Sequence, residues 1–217
     1  MDDLDAESAN VISLIRARNT RPDPALRDVE AYWEALRNGR AVPPRAEVDP
    51  RGLAHVLDKT FLLERLAPGL ARFRVAGRAI VATMGMELTG MPISTCFLPE
   101  ARPRLGRALD QVFEGPALAH LNLDAPRGFR RGALTGQMLL LPLTDQDGAT
   151  TRILGCLVTT GRIGRKPRRF EIGSATARRI VGSEREEAAR TSPLPQRPTA
   201  ADRPAGKVVP FPALVDH

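Results

Sequence analysis

Few side chains in this 217-residue sequence could do covalent or metal chemistry. There are two cysteines, Cys96 and Cys156, and three histidines, His55, His120 and His217. They are scattered along the chain, without the close spacing of Cys and His that a closed zinc site or a two-histidine haem site requires. We therefore predict no metal centre and no bound cofactor, and we interpret both cysteines as buried apolar thiols.

Residues that often act in catalysis are present, but their arrangement does not favour it. Ser94, Thr95 and Cys96 have no histidine nearby in the sequence, and there is no Gly-x-Ser-x-Gly element. Asp145 and Asp147 stand where a hairpin turn is predicted, and aspartate favours such turns without any catalytic role. The sequence therefore indicates a protein that is not an enzyme.

The stretch FRVAGRAIVATMGMELTG, residues 73–90, has the strand, glycine and helix order of a nucleotide-binding loop. A dinucleotide fingerprint would need glycine at two further positions, which are Ala79 and Ala82. No Gly-Lys-Ser/Thr sequence opens the helix, as a phosphate-binding loop would require. We interpret Gly77 instead as a turn residue through which the chain leaves a sheet.

The charge balance is strongly positive, with 32 basic residues, 25 acidic residues and a formal net charge of +7. Such a balance can indicate nucleic-acid binding. The basic residues are spread along the chain, and their local excess is RIGRKPRR, residues 162–169, which contains no aromatic side chain to stack on bases. We interpret this run as a solvated flank, and nucleic-acid binding through it remains the alternative function.

Both ends of the chain differ in composition from its middle. Residues 1–22 are predicted to be a flexible leader, which starts with the acidic MDDLDAESAN and includes a short stretch of helical pattern, NVISLIRAR. Residues 191–217 are Pro-rich, which predicts a disordered tail, and they end in the apolar cluster KVVPFPALVDH. No apolar run approaches the roughly 20 residues of a membrane span. The acidic start is unlike a targeting signal, so we expect a cytoplasmic protein without membrane contact.

A helix is predicted to begin at Pro24, which suits the first turn, and Asp23 before it can cap the helix. Apolar residues then recur at spacings of three and four. This stripe must be buried, either against the domain or against a second copy, and we predict that it forms a homodimer interface. The candidate interface residues are Leu26, Val29, Trp33 and Leu36.

Alternating and apolar segments predict five strands in two groups, with helices between the groups. The predicted strands are residues 60–66, 71–76, 117–124, 132–145 and 151–161, and the helices between them are residues 78–88 and 103–115. This order predicts an α+β domain over residues 23–161 with a five-stranded antiparallel sheet. Residues 162–190 are predicted to be a basic, partly helical flank.

Several local motifs, in this order of elements, make the chain similar to PAS domains. More specifically, it resembles an alphaproteobacterial PAS-like family formerly described as a domain of unknown function. The resemblance covers residues 26–160 and departs from the family at Met86, where Arg is frequent, and at Arg78, where a small residue is common. The matching positions are Tyr32-Trp33, Pro44-Arg45, Asp49-Pro50, Phe73, Gly77, Gly85, Glu87 and Thr89-Gly90.

The resemblance implies a non-catalytic sensory, regulatory or protein-interaction module of bacterial signalling, with a homodimer or another signalling protein as partner. Some PAS domains bind a molecule between the sheet and the helices, so a small apolar ligand is the kind we expect. The flavin-binding and haem-binding motifs of the superfamily are missing around Cys96 and on the long helix. By strand alternation His120 is interpreted as a rim residue. The candidate pocket residues are Ile80, Met84, Leu109, Phe113, Leu139 and Cys156.

Overall fold

The computed structural model describes residues 21–128 and 132–180. The predicted leader up to residue 20 and the predicted tail at residues 191–217 lie outside the described residues. Within them, no helix has the length and apolar character needed to cross a membrane.

Three α-helices and six β-strands make up the described part of the chain, with single 3-10 turns between several of them. In chain order they are α1 (Pro24–Arg37), β1 (Thr60–Ala67), β2 (Leu70–Ala76), α2 (Arg78–Met84), α3 (Arg102–Glu114), β3 (Ala117–Ala125), β4 (Leu134–Thr144), β5 (Thr150–Gly161) and β6 (Glu171–Arg179). The 3-10 turns are Arg45–Glu47, Pro50–Leu53, Leu57–Lys59, Ile93–Cys96 and Pro99–Ala101.

The strands form one antiparallel sheet in the order β2-β1-β5-β4-β3-β6. The predicted α+β class is confirmed, but the sheet has six strands rather than five. The sixth is β6, in the segment that we predicted to be a partly helical flank. That prediction was wrong because β6 is an edge strand on which only Ile172 is buried, so it lacks the apolar alternation that marks a strand. Its backbone pairs with β3 from Ala117 to Asp124.

One face of the sheet is covered by α2, α3 and the turns between them. The apolar stripe of α3 lies on this inner face and is buried throughout, at Leu105, Ala108, Leu109, Val112 and Phe113. The main core of the protein therefore lies between these helices and the sheet.

The other face is covered by α1, which lies over β3, β4 and β5. Leu26, Val29 and Trp33 are buried there, and Trp33 Nε1 donates a hydrogen bond of 2.8 Å to the carbonyl oxygen of Pro142. The homodimer interface predicted for these three side chains is therefore wrong, since they pack within one chain, and Leu36 is half-buried. The physical reason is that β3 to β5 carry apolar side chains on both faces, so the sheet needs a second cover. The residues of this outer cluster include Leu118, Leu139, Leu141, Leu143, Leu154 and Cys156.

The predicted start of α1 is confirmed. The Asp23 carboxylate accepts a hydrogen bond of 2.9 Å from the backbone N–H of Ala25, and Pro24 is the first helical residue. Asn38, at the other end, adopts a left-handed conformation with φ 44°, which ends the helix. The cap and the proline thus set the position of α1 locally.

Candidate functional site

The six predicted pocket residues do not surround one space. Ile80 and Met84 of α2 lie with Leu109 and Phe113 of α3 in the inner core, and none is more than 4% exposed. The other two, Leu139 and Cys156, pair across β4 and β5 and belong to the cluster beneath α1. A single pocket lined by all six is therefore excluded, whereas ligand binding by the four inner residues stays a prediction.

The sequence could not show this division because apolar residues fill consecutive positions of β4. Leu139 and Leu140 are neighbours, and strand geometry sends them to opposite faces. Leu140 is in the inner core and Leu139 is in the outer cluster. Only the pairing of the strands decides which residue faces which layer.

Both thiols are enclosed, one on each side of the sheet. Cys96 belongs to the inner core and Cys156 to the outer cluster. Burial in apolar surroundings raises the pKa of each thiol to about 12. Each group is therefore an inert, protonated side chain at neutral pH.

We expect neither cysteine to react with an aromatic disulfide reagent at pH 8 while the protein is folded. A pKa of about 12 leaves only about one thiol in 10⁴ as the reactive thiolate, and burial blocks access as well. Absorbance at the released thiolate measures the reaction. In denaturant both thiols should react at once, and a fast reaction of the folded protein would contradict the prediction.

His120 lies at the rim between α1 and the sheet, where strand alternation predicted it. Its Nε2 is 3.4 Å from Glu30 Oε2 on α1, and Arg178 Nη2 of β6 is 2.9 Å from Glu30 Oε1. The hydrogen bond from His120, with support from Arg178, holds the pKa of the Glu30 carboxyl below its usual value against partial burial. These side chains connect α1 to β3 and β6.

The basic run at residues 162–169 is not a uniform solvated flank, because Arg168 within it is only 1% exposed. Its guanidinium donates to the carbonyl oxygens of Arg162 and Ile163 at 3.2 and 2.7 Å. It also donates to those of Pro126 and Gly132 at 3.4 and 2.9 Å. Arg168 thus joins the β5–β6 connection to the β3–β4 connection, a structural role that sequence reasoning missed. Nucleic-acid binding through this run is not favoured, since the buried guanidinium of Arg168 is not available to contact phosphates.

A second residue that sequence reasoning missed lies two positions further. Phe170 is fully buried in the inner core, and its N–H donates to the Cys96 carbonyl at 2.9 Å. Its own carbonyl accepts from the N–H of Leu98 at 3.0 Å. The connection before β6 therefore closes one side of the helical layer. A lone aromatic residue after a basic run was the available signal.

An apolar groove of about 570 Å³ lies on the outer face, beside the β1–β2 hairpin that α1 leaves uncovered. Val75 is 57% exposed and Leu57 is 44% exposed there. We call it the outer groove. Its apolar walls are Val48, Pro50, Leu53, Ala54, Leu57, Leu62, Val75 and Leu154, and its charged lining residues are Arg45, Arg78 and Asp58.

Three arginines lie next to the outer groove on the same face of the sheet. Arg72, Arg74 and Arg152 approach the carboxylate of Glu64 at 2.7, 3.3 and 2.9 Å. The hydrogen bond from Arg72 holds the pKa of Glu64 below its usual value, with the charges of the other two arginines adding to it. One carboxylate shared by three guanidiniums leaves a net positive charge beside the groove. Glu64 follows the groove residue Leu62 by two positions on β1, which places both on one face.

The described residues contain no group of His, Cys, Asp or Glu side chains that could hold a metal ion. We assign no metal site to them. The outer groove is the candidate functional site because it combines exposed apolar side chains with an unbalanced charge.

A family model described as a PAS domain matches residues 21–158 of the chain. A light-oxygen-voltage domain studied with a flavin analogue is 16% identical, with a TM-score of 0.41 over 52% of this chain and 84% of that chain. The light state of the aureochrome 1 light-oxygen-voltage domain is 13% identical, with a TM-score of 0.35 over 52% and 88%. An RNA-binding light-oxygen-voltage receptor is 19% identical, with a TM-score of 0.36 over 54% and 35%. No curated protein matches the chain.

Proposed function

Since the chain belongs to the PAS domain family through residues 21–158, we propose that it is a non-catalytic sensory or regulatory module that works through contacts with other proteins. The family match confirms the resemblance inferred from the sequence. The observation that supports a protein-contact role is the outer groove, where large apolar side chains face water on an otherwise covered sheet.

The exposed apolar side chains are concentrated on one part of the molecule. Among the described residues the large exposed hydrophobics are Leu57, Leu66, Leu70 and Val75, all on the β1–β2 hairpin or the turn before it. Clustered exposed apolar surface marks interaction sites in soluble domains. The partner that we propose is a second copy of the chain or another signalling protein of the cytoplasm, and self-association is the form that can be tested directly.

The inner core supports this choice of site over an enclosed ligand. Ile80, Met84, Leu109 and Phe113 fill the space between helices and sheet with their own side chains. A small apolar ligand would have to displace them at the cost of native packing. The groove needs no such rearrangement, because Val75 and Leu57 are already exposed.

We expect Val75→Asp to weaken self-association of the full chain at least tenfold in dissociation constant. The substitution places a charge at the centre of the apolar wall, where a contact would otherwise exclude water. Sedimentation equilibrium over a concentration series measures the change. Thermal unfolding should be nearly unaffected, since the side chain is 57% exposed in one chain.

Leu66→Asp is the matched control, because Leu66 is 47% exposed on the same hairpin but does not line the outer groove. It should leave the dissociation constant within about twofold of the parent chain, as surface changes away from contacts do. Equal effects of the two variants, or a parent chain that stays monomeric at high micromolar concentration, would contradict self-association through the groove.

A further inference from the structure

We propose that the outer groove is occupied in cis by the acidic leader of the same chain, residues 2–15, bound as an amphipathic helix. The proposal rests on the proposed function, because it gives the interaction groove an internal occupant that a partner must displace. The leader lies outside the described residues. Its sequence combines negative charge with apolar residues, which complement the positive charge and apolar walls of the groove.

The leader carries negative charge and an apolar stripe together. Its acidic residues are Asp2, Asp3, Asp5 and Glu7, and no basic residue occurs before Arg16. At helical spacing Leu4, Val11 and Ile15 would share one face, flanked by Ile12 and Leu14. A short helix of this kind is marginal alone in water and gains its stability from a surface that buries its apolar face.

The outer groove is complementary to such a helix. Its apolar walls would take the stripe of the leader, as helix-in-groove recognition requires. Around it, the guanidiniums of Arg45, Arg78, Arg72, Arg74 and Arg152 outnumber the carboxylates of Asp58 and Glu64. The excess positive charge would attract the acidic residues at the start of the leader.

The attachment point of the leader lies on the same face of the sheet. Gln137 of β4 binds both Arg21 and Asp23, accepting from Asp23 N–H at 2.8 Å and donating to the Arg21 carbonyl at 3.2 Å. Gln137 pairs with Val158 of β5, and Cys156 of β5 pairs with the groove residue Thr60. Strand spacing puts Gln137 about 12 Å from Thr60. Residues 16–20 can span about 17 Å when extended, so residues 2–15 reach the groove.

The apolar cluster KVVPFPALVDH, residues 207–217, is the competing segment of the chain. It follows β6, which lies four strands or about 19 Å from β1, and residues 180–206 are long enough to bridge that distance, so only charge distinguishes the two segments. It also starts with Lys207 and has no acidic residue before Asp216. Charge therefore favours the leader as the occupant.

A nitroxide label on the leader of the full chain tests the proposal. Ser13→Cys puts the label opposite the apolar stripe, and the buried Cys96 and Cys156 leave it as the reactive thiol. We expect loss of NMR methyl intensity at Leu57 and Leu62 in the groove. Arg78→Glu should restore that intensity, whereas the matched control Arg107→Glu, at an exposed position of α3, should not.

Mixing spin-labelled chains with isotope-labelled chains distinguishes a leader bound to the groove of its own chain from a leader bound to the groove of another chain. Intensity loss that appears only when both labels are on one chain supports docking in cis. Intensity loss between chains, loss confined to β6, or no loss at the groove would overturn it.

Failure of this inference can be distinguished from failure of the proposed function. If the leader stays away from the groove while Val75→Asp still weakens self-association, the inference alone is wrong. If the leader docks and Val75→Asp leaves sedimentation unchanged, the groove is an internal docking site and the proposed partner role is wrong.

Discussion

Trp33→Ala is expected to lower the free energy of unfolding by about 3–5 kcal/mol, the usual cost of removing a buried Trp. Trp33 has no exposed surface in the single chain, where it lies between α1 and the outer face of the sheet. Truncation would leave a cavity beneath α1 and remove the donor to the Pro142 carbonyl. Urea unfolding followed by circular dichroism at several protein concentrations measures the change.

Trp33→Phe separates packing from hydrogen bonding at this position. It keeps an aromatic ring and leaves the Pro142 carbonyl without its donor, so its cost should be nearer to about 1–3 kcal/mol. The unfolding midpoint of the parent chain should shift little with concentration if α1 packs on its own sheet. If the Trp33→Ala variant were as stable as the parent but associated more weakly, the result would contradict packing within one chain and support the stripe of α1 as the dimer interface.

Arg168→Met is expected to cost about 1–3 kcal/mol of stability, since it removes the hydrogen bonds of a buried guanidinium to partly buried carbonyls. The guanidinium donates to four carbonyls from two connections of the sheet, and methionine fills similar space without a donor. Urea unfolding measures the free energy. Hydrogen exchange should show the largest loss of protection in β6, because the segment leading to it loses its attachment.

Arg169→Met is the control for Arg168→Met, because Arg169 is the next residue and is exposed. It removes the same formal charge and should change stability by less than about 0.5 kcal/mol. Equal losses in the two variants would mean that net charge, and not the hydrogen bonds of Arg168, accounts for the effect.

The arrangement of the two covers explains why one part of the sheet is left for interaction. α1 and the turns after it bury the outer faces of β3, β4 and β5, while the β1–β2 hairpin extends past them. Val75 and Leu57 are exposed at that boundary. A partner or the leader would complete the outer layer.

The elements whose cause is local were predictable from the sequence. Asp23 and Pro24 start α1 because a side-chain cap and a fixed φ act within a few residues. The stripe of α3 and the alternation of β2 predict which side chains are buried. The family motifs between Tyr32 and Gly90 predicted the PAS fold, because they mark its turns and junctions in chain order.

What faces those side chains was decided by the tertiary structure alone. The apolar stripe that contains Trp33 has the same sequence pattern whether it packs on a second copy or on its own sheet. The hydrophobic effect is non-directional, so the pattern shows that the stripe is buried but not which surface buries it. Strand β6 is held at the edge of the sheet by backbone hydrogen bonds to β3, and these place no demand on its side chains, so its sequence can contain few apolar residues. Arg168 resembles any surface arginine until the carbonyls of two distant connections meet around it. Local chemistry thus determined the elements, and long-range pairing determined their partners and left the outer groove exposed.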